Sequence, residues 1–194
     1  AALFATSVRP EETSDGPQPL LPIDSPGSEL QVHKAAFFFR LERELEKINA
    51  FYLQKESELR TRLTTLITKK RHLIALANRP VGHNVITRDT PSLVTLLEGF
   101  RYFEKDLSKL QQFIEINATG FRKILKKWDK RFKSQTKELY LARQVEVQPC
   151  FNREFMTEMS DIASASILQL ESLADGHELP STPFKNEVAL LRGA

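Results

Sequence analysis

One helical register runs through the middle of this chain, and it restricts the fold more than any other feature. Leu93, Leu97, Phe100, Phe103, Leu107, Leu110, Ile114, Phe121, Leu125, Trp128 and Phe132 recur at spacings of three and four, or sums of these. Such spacing brings an apolar residue back to one side of an α-helix at every turn. The register passes through Asn117-Ala118-Thr119-Gly120 without slipping, although Asn117 stands where an apolar residue is due. It predicts a single helix from Pro91 to Phe132, on the order of 60 Å long. Thr90-Pro91 supplies a capping hydroxyl and then proline at the first helical position. Gly120 costs such a helix about 1 kcal/mol relative to alanine, so a close backbone approach or a slight bend is expected there.

A helix of that length needs a partner to cover its apolar side. Phe38, Leu41, Leu45, Ile48, Tyr52, Leu59, Leu63 and Leu66 predict a second long helix over Val32–Ala77. Lys55 fills the missing position, its stem packing while its head reaches water. Glu56 with Arg60 and Glu58 with Arg62 form i,i+4 pairs in the favourable order. Asn78-Arg79-Pro80 stops this helix, and Pro80 to Asp89 reads as a loop. Gln135 to Gln144 makes a short helix. Asn152 caps a further one with Phe155, Met159, Ile162, Ser166, Leu170 and Leu173 inward, and Asp175-Gly176 ends it.

No strand pattern occurs. The expected fold class is all-α, a helical bundle built on two long antiparallel helices with shorter C-terminal helices. Residues 1–31, with Pro10, Pro17, Pro19, Pro22 and Pro26, read as a largely irregular linker, and residues 32–176 as the domain. Residues 177–194, with Pro180 and Pro183, read as a tail in which Val188 to Leu191 can dock as a turn. The chain opens without methionine, as a fragment would.

Half of the positions from Gly120 to Lys133 are basic: Arg122, Lys123, Lys126, Lys127, Lys130, Arg131 and Lys133. On a helix Lys123, Lys126, Lys127 and Lys130 share an arc of roughly 100°. Phe121, Ile124, Leu125, Trp128 and Phe132 fill an arc of similar width on the other side. Like charges at these spacings repel, so local helix stability would not select them. A charged stripe is ordinarily a solvated face, and that reading stays open beside the alternative of a multiply anionic ligand. The alternative gains from the absence of a carboxylate on the lysine arc, since Asp129 lies off it. It gains also from the strong apolar face, and from lysine as a point charge suited to several rotatable phosphates.

Composition narrows the function. At 194 residues, 27% charged and 41% hydrophobic, the chain can bury one core of a soluble protein. A net charge of +3 makes the basic signal local and argues against a general nucleic-acid binder. The single cysteine, Cys150, excludes an intrachain disulfide and a cysteine-rich zinc site, and fits a reducing, cytoplasmic setting. No apolar run approaches the roughly 20 residues of a membrane span. His33, His72, His83 and His177 are scattered, so no metal site is expected. Asn117-Ala118-Thr119 matches a glycosylation acceptor but falls inside a predicted helix. Glu42, Glu44 and Glu46, among basic neighbours, read as an exposed face. With no nucleophile elbow, glycine-rich phosphate loop or metalloprotease motif, no catalytic residues are expected.

The run Asn117-Ala118-Thr119-Gly120-Phe121-Arg122-Lys123-Ile124-Leu125-Lys126-Lys127-Trp128-Asp129-Lys130 resembles the signature of the SPX domain, approximately N-x-T-G-F-x-K-I-L-K-K-x-D-K. Phe37 to Tyr52, FFFRLERELEKINAFY, continuing into Lys55-Glu56-Ser57-Glu58-Leu59, is similar to the family's first long core helix. The resemblance covers about Val32 to Asp175. Its wording is most similar to SPX domains of fungal glycerophosphodiester phosphodiesterases with ankyrin repeats, and next to a fungal kinase inhibitor of phosphate signalling.

The resemblance implies a cytoplasmic sensor of phosphate status that binds inositol polyphosphates such as inositol hexakisphosphate, and inositol pyrophosphates. It implies an effector domain or protein partner, no catalysis in this stretch, and a phosphodiesterase as the possible parent. Matched by position, Lys123, Lys126 and Lys130 correspond to the family's surface lysine cluster. Lys127 corresponds to the lysine that shares the phosphate site with an N-terminal helical hairpin. The hairpin's K-F-G opening and tyrosine-lysine segment are not among these residues, where the 1–31 linker takes its place. The rival reading is a helical scaffold whose basic face meets an acidic protein or an anionic membrane. Nucleic acid comes third, because no arginine-rich or base-stacking surface accompanies the lysines.

Overall fold

The computed structural model describes residues 26–78 and 86–176. The expected linker up to residue 25, the loop over 79–85 with His83, and the tail from 177 with its Val188–Leu191 turn lie outside the described residues. Among the described residues there are four α-helices: α1 (Pro26–Ala77), α2 (Pro91–Phe132), α3 (Thr136–Tyr140) and α4 (Glu154–Ala174). A π-helical turn over Leu141–Val145 and a 3-10 turn over Pro149–Phe151 link α3 to α4. Among the described residues there is no strand, so the fold is all-α.

The chain divides into two units, Ala1–Leu41 and Glu42–Ala194. In the first, the helix starts at Pro26, six residues ahead of the expected Val32. Proline at the first helical position has no hydrogen bond to lose, and Glu29 in the first turn complements the helix dipole. The proline-rich look of residues 1–31 hid this start. Phe37 and Phe38 meet edge to face at 5.1 Å.

In the second unit α1, α2 and α4 form the bundle. Phe51 packs on Phe113 at 4.7 Å, Arg62 pairs with Asp106 at 2.7 Å, and Leu66 lies against Gly99. Numbers rise along one helix as they fall along the other, so α1 and α2 are antiparallel as expected. Glu104 accepts from Ser164 Oγ at 2.8 Å and Arg101 reaches Glu171 at 3.4 Å, so α4 is antiparallel to α2 as well. Leu63 and Ile67, Phe100 and Phe103, and Met159 and Leu170 are fully buried contributions of the three helices. Burying each such side chain stabilises by about 1.5–3 kcal/mol before ordering costs. Lys70 is buried among them, its Nζ donating to Ser166 Oγ at 3.0 Å and Gln169 Oε1 at 2.9 Å. Hydrogen bonding is what makes a buried ammonium tolerable.

The α2 helix spans the expected residues, but several details differ. Leu96, not Leu97, is buried beside Leu93. The Thr90 hydroxyl does not cap α2; it accepts from the Thr87 N–H at 2.9 Å. The expected Glu58–Arg62 pair gives way to Lys55–Glu58 at 2.6 Å, while Arg62 crosses to Asp106. Glu56–Arg60 forms at 3.2 Å as expected. Gly120 marks no close approach, since a Cβ there would meet nothing within 4 Å. The close approach is at Gly99, where a Cβ would stand 2.8 Å from Leu66 Cδ2. At α4 the Asn152 side chain accepts from the Glu154 N–H at 2.9 Å, and Leu173 is half-buried where Met156 and Ala163 are buried.

Candidate functional site

The face built by Lys123, Lys126, Lys127 and Lys130 occupies the last three turns of α2. Phe121 and Leu125 hold this stretch in place, both buried in the second unit. Trp128 and Phe132 extend the inner side, their rings tilted at 39° with centroids 4.1 Å apart. Ile124, expected on the apolar arc, is 43% exposed; it lies at the arc's edge, away from Leu125. With the core on the Phe121–Leu125 side, the helical period turns all four lysines outward, and all four are exposed.

None of the four lysines makes an ion pair or side-chain hydrogen bond among the described residues. The contrast with α1 is sharp: Arg43–Glu46, Lys47–Glu44, Lys55–Glu58 and Arg60–Glu56 all pair within that helix. Lys130 and Arg131 stand in the last turn of α2, where the helix dipole favours cations. Arg131 lies over the Phe132 ring at 5.7 Å and so leaves the lysine arc.

Asp129, the one carboxylate within the basic run, is committed elsewhere. Its Oδ1 accepts from Ser134 Oγ at 2.6 Å and from the Thr136 N–H at 3.0 Å, and its Oδ2 accepts from the Lys137 N–H at 2.9 Å. Burial pushes its pKa up, but the hydrogen bonds from Ser134, Lys137 and Thr136 outweigh this and hold the carboxyl below the ordinary range. This clamp was not read from the sequence. The signal was Asp129 followed by Ser134 and Thr136, residues that commonly build turns by side-chain bonds.

A cleft of about 600 Å³ lies on another side of α2, lined among others by Ile114, Thr119, Arg122, Asn152, Arg153 and Met156. The four lysines do not line it. Cys150 is buried and its thiol is pushed up to about 11 by burial, so little thiolate forms near neutral pH. Asn117 donates to the Phe113 carbonyl at 2.7 Å within the helix. What the lysine face offers chemically is several strong, mobile cationic donors on a rigid support.

Residues 6–90 and 95–143 match the SPX domain family, and the chain belongs to that family. Among similar proteins, the ankyrin repeat protein nuc-2 of Neurospora crassa is 51% identical over 174 residues, covering 90% of this chain and 16% of nuc-2. The phosphate system positive regulatory protein PHO81 of Saccharomyces cerevisiae is 41% identical over 144 residues, covering 74% of this chain and 12% of PHO81. An SPX domain-containing membrane protein of Oryza sativa subsp. japonica is 34% identical over 110 residues, covering 57% of this chain and 14% of that protein. This chain thus spans a small fraction of each relative's length. No solved structure matches it significantly. No described helix is long and apolar enough to cross a membrane.

Proposed function

We propose that this chain is a regulatory domain in phosphate homeostasis that binds inositol polyphosphates or inositol pyrophosphates on Lys123, Lys126, Lys127 and Lys130. The observation that carries the reading is a face of four exposed lysines with no ion pair among the described residues, in a member of the SPX family related to a named phosphate regulator. A charge-assisted contact contributes about 1.5–3 kcal/mol before ordering costs. Three or four of them reach the roughly 8 kcal/mol of micromolar binding if most of the gain survives. An effector domain or protein partner would read the occupied state. The domain itself regulates and does not catalyse. A phosphodiesterase parent is a separate proposal, tested by assaying the full-length protein for glycerophosphodiester hydrolysis.

The test is calorimetric titration with inositol hexakisphosphate at low and moderate salt, on this chain and on a version carrying the family's N-terminal hairpin. Saturable, salt-weakened binding to both places the main affinity on α2. Binding only with the hairpin makes the site a shared one. No binding by either removes the ligand reading. Tighter binding to acidic vesicles or an acidic protein than to the soluble ligand favours the scaffold.

A further inference from the structure

Asp129 lies between Lys127 and Lys130, three residues after Lys126 and four before Lys133. Those spacings offer it lysine partners on its own helix. It takes neither and spends both carboxylate oxygens on Ser134, Thr136 and Lys137 beyond the helix end. Its backbone carbonyl accepts from the Lys133 N–H and, at 3.2 Å, from the Ser134 N–H. Lys133 has φ 51° and ψ 37°, the one positive φ outside glycine among the described residues. A left-handed lysine is disfavoured by its own Cβ, so the surrounding bonds must hold this turn.

The geometry points to Asp129 as the positioning residue of the lysine face: it locks the last turn of α2, so that Lys126, Lys127 and Lys130 are presented in register. This rests on the reading of those lysines as an inositol polyphosphate site. The first N–H groups of a helix have no partners within it. The Asp129 carboxylate accepts from those of Thr136 and Lys137 at the start of α3, which ties the end of α2 down where an untied end frays. Lysines on a fraying turn must be ordered at the moment of binding, which weakens the ligand. The same three hydrogen bonds withhold the only carboxylate of the basic run from the ammonium groups, which would otherwise be its partners in place of phosphate.

Asp129→Asn separates this role from simple charge. It keeps the shape and one acceptor oxygen, gives up the bond to the Lys137 N–H, and removes a negative charge from the basic run. On charge alone the variant binds inositol hexakisphosphate more tightly. As a positioning residue, its loss weakens binding roughly three- to tenfold, the span that losing a helix-end contact of this kind gives. The salt dependence stays unchanged, because the same lysines make the contacts. Amide exchange at residues 130–137 accelerates by a similar factor, while exchange in α1 does not. Ser134→Ala moves both readouts the same way by less, and gives the answer should the first variant fold poorly.

Equal or tighter binding by Asp129→Asn overturns the positioning role, and so does unchanged exchange over 130–137. Absence of binding both by the unaltered chain and by the version carrying the family's N-terminal hairpin overturns the ligand reading on which the proposal rests. The exchange measurement needs no ligand and therefore tells the two failures apart.

Discussion

Gly120 is exposed in the middle of the lysine-bearing helix, with open space where a side chain would begin. Nothing packs there to justify the entropy that glycine loses in a helix. Gly120→Ala should therefore raise stability by up to about 1 kcal/mol, seen as a higher melting temperature in calorimetry. The lysines a few residues on are expected to do the reverse, affecting binding and not stability. Lys126→Ala with Lys130→Ala should cut inositol hexakisphosphate affinity by roughly tenfold or more, since two charge-assisted contacts are lost. Helicity and melting temperature should stay nearly unchanged, because both side chains are exposed and pair with nothing among the described residues. Loss of fold in that double variant would assign the lysines to structure.

The elements meet through a few charged and polar bridges around an apolar centre. Asp106 of α2 takes Lys109 of its own helix at 2.9 Å and Arg62 of α1 at 2.7 Å. The Lys109 hydrogen bond lowers its pKa most, burial opposes, and Arg62 lowers it further, leaving the carboxyl below the ordinary range. Asp129, joining α2 to α3, is shifted the same way. A depressed carboxylate contributes stability that is fully present above its unfolded pKa of about 3.9 and is lost as pH falls through the folded value. The melting temperature should hold between pH 7 and 5 and fall below about pH 4. Asp106→Asn should flatten that fall in a pH series of thermal melts, and an undiminished fall would assign the acid sensitivity to other groups. Asn49 of α1 ties the C-terminal turns to the bundle, donating to Gln148 Oε1 at 2.7 Å and accepting from the Cys150 N–H at 3.4 Å.

At the scale of the molecule, a net charge of +3 cannot by itself gather a polyanion. Any affinity must come from a local arrangement, and the salt sensitivity expected in the titration is that of a few exposed contacts. The long helices and their antiparallel order were legible because helical periodicity records burial directly, turn after turn, from Leu93 to Phe132. The limits of α2 were equally legible, since Pro91 and the end of the apolar register mark them. The start of α1 was not, because a proline that opens a helix looks in sequence like one that prevents it. Ile124 and Leu97 were misplaced for a related reason: at the edge of an apolar arc, small rotations decide between core and solvent.

The sequence alone determined that this is an all-α chain, that four lysines share one side of a long helix, and that the signature around them resembles the SPX family. These follow from spacing and residue type, which are local properties. Only the tertiary structure decided the edges of the apolar side of α2, burying Leu96 in place of Leu97 and leaving Ile124 exposed. It also showed that Asp129 bonds to α3 and not to its lysine neighbours, that Arg62 pairs across helices, and that Gly99 marks the close approach while Gly120 has open space. Each of those depends on what another segment brings within a few ångströms, and spacing along the chain carries no record of it.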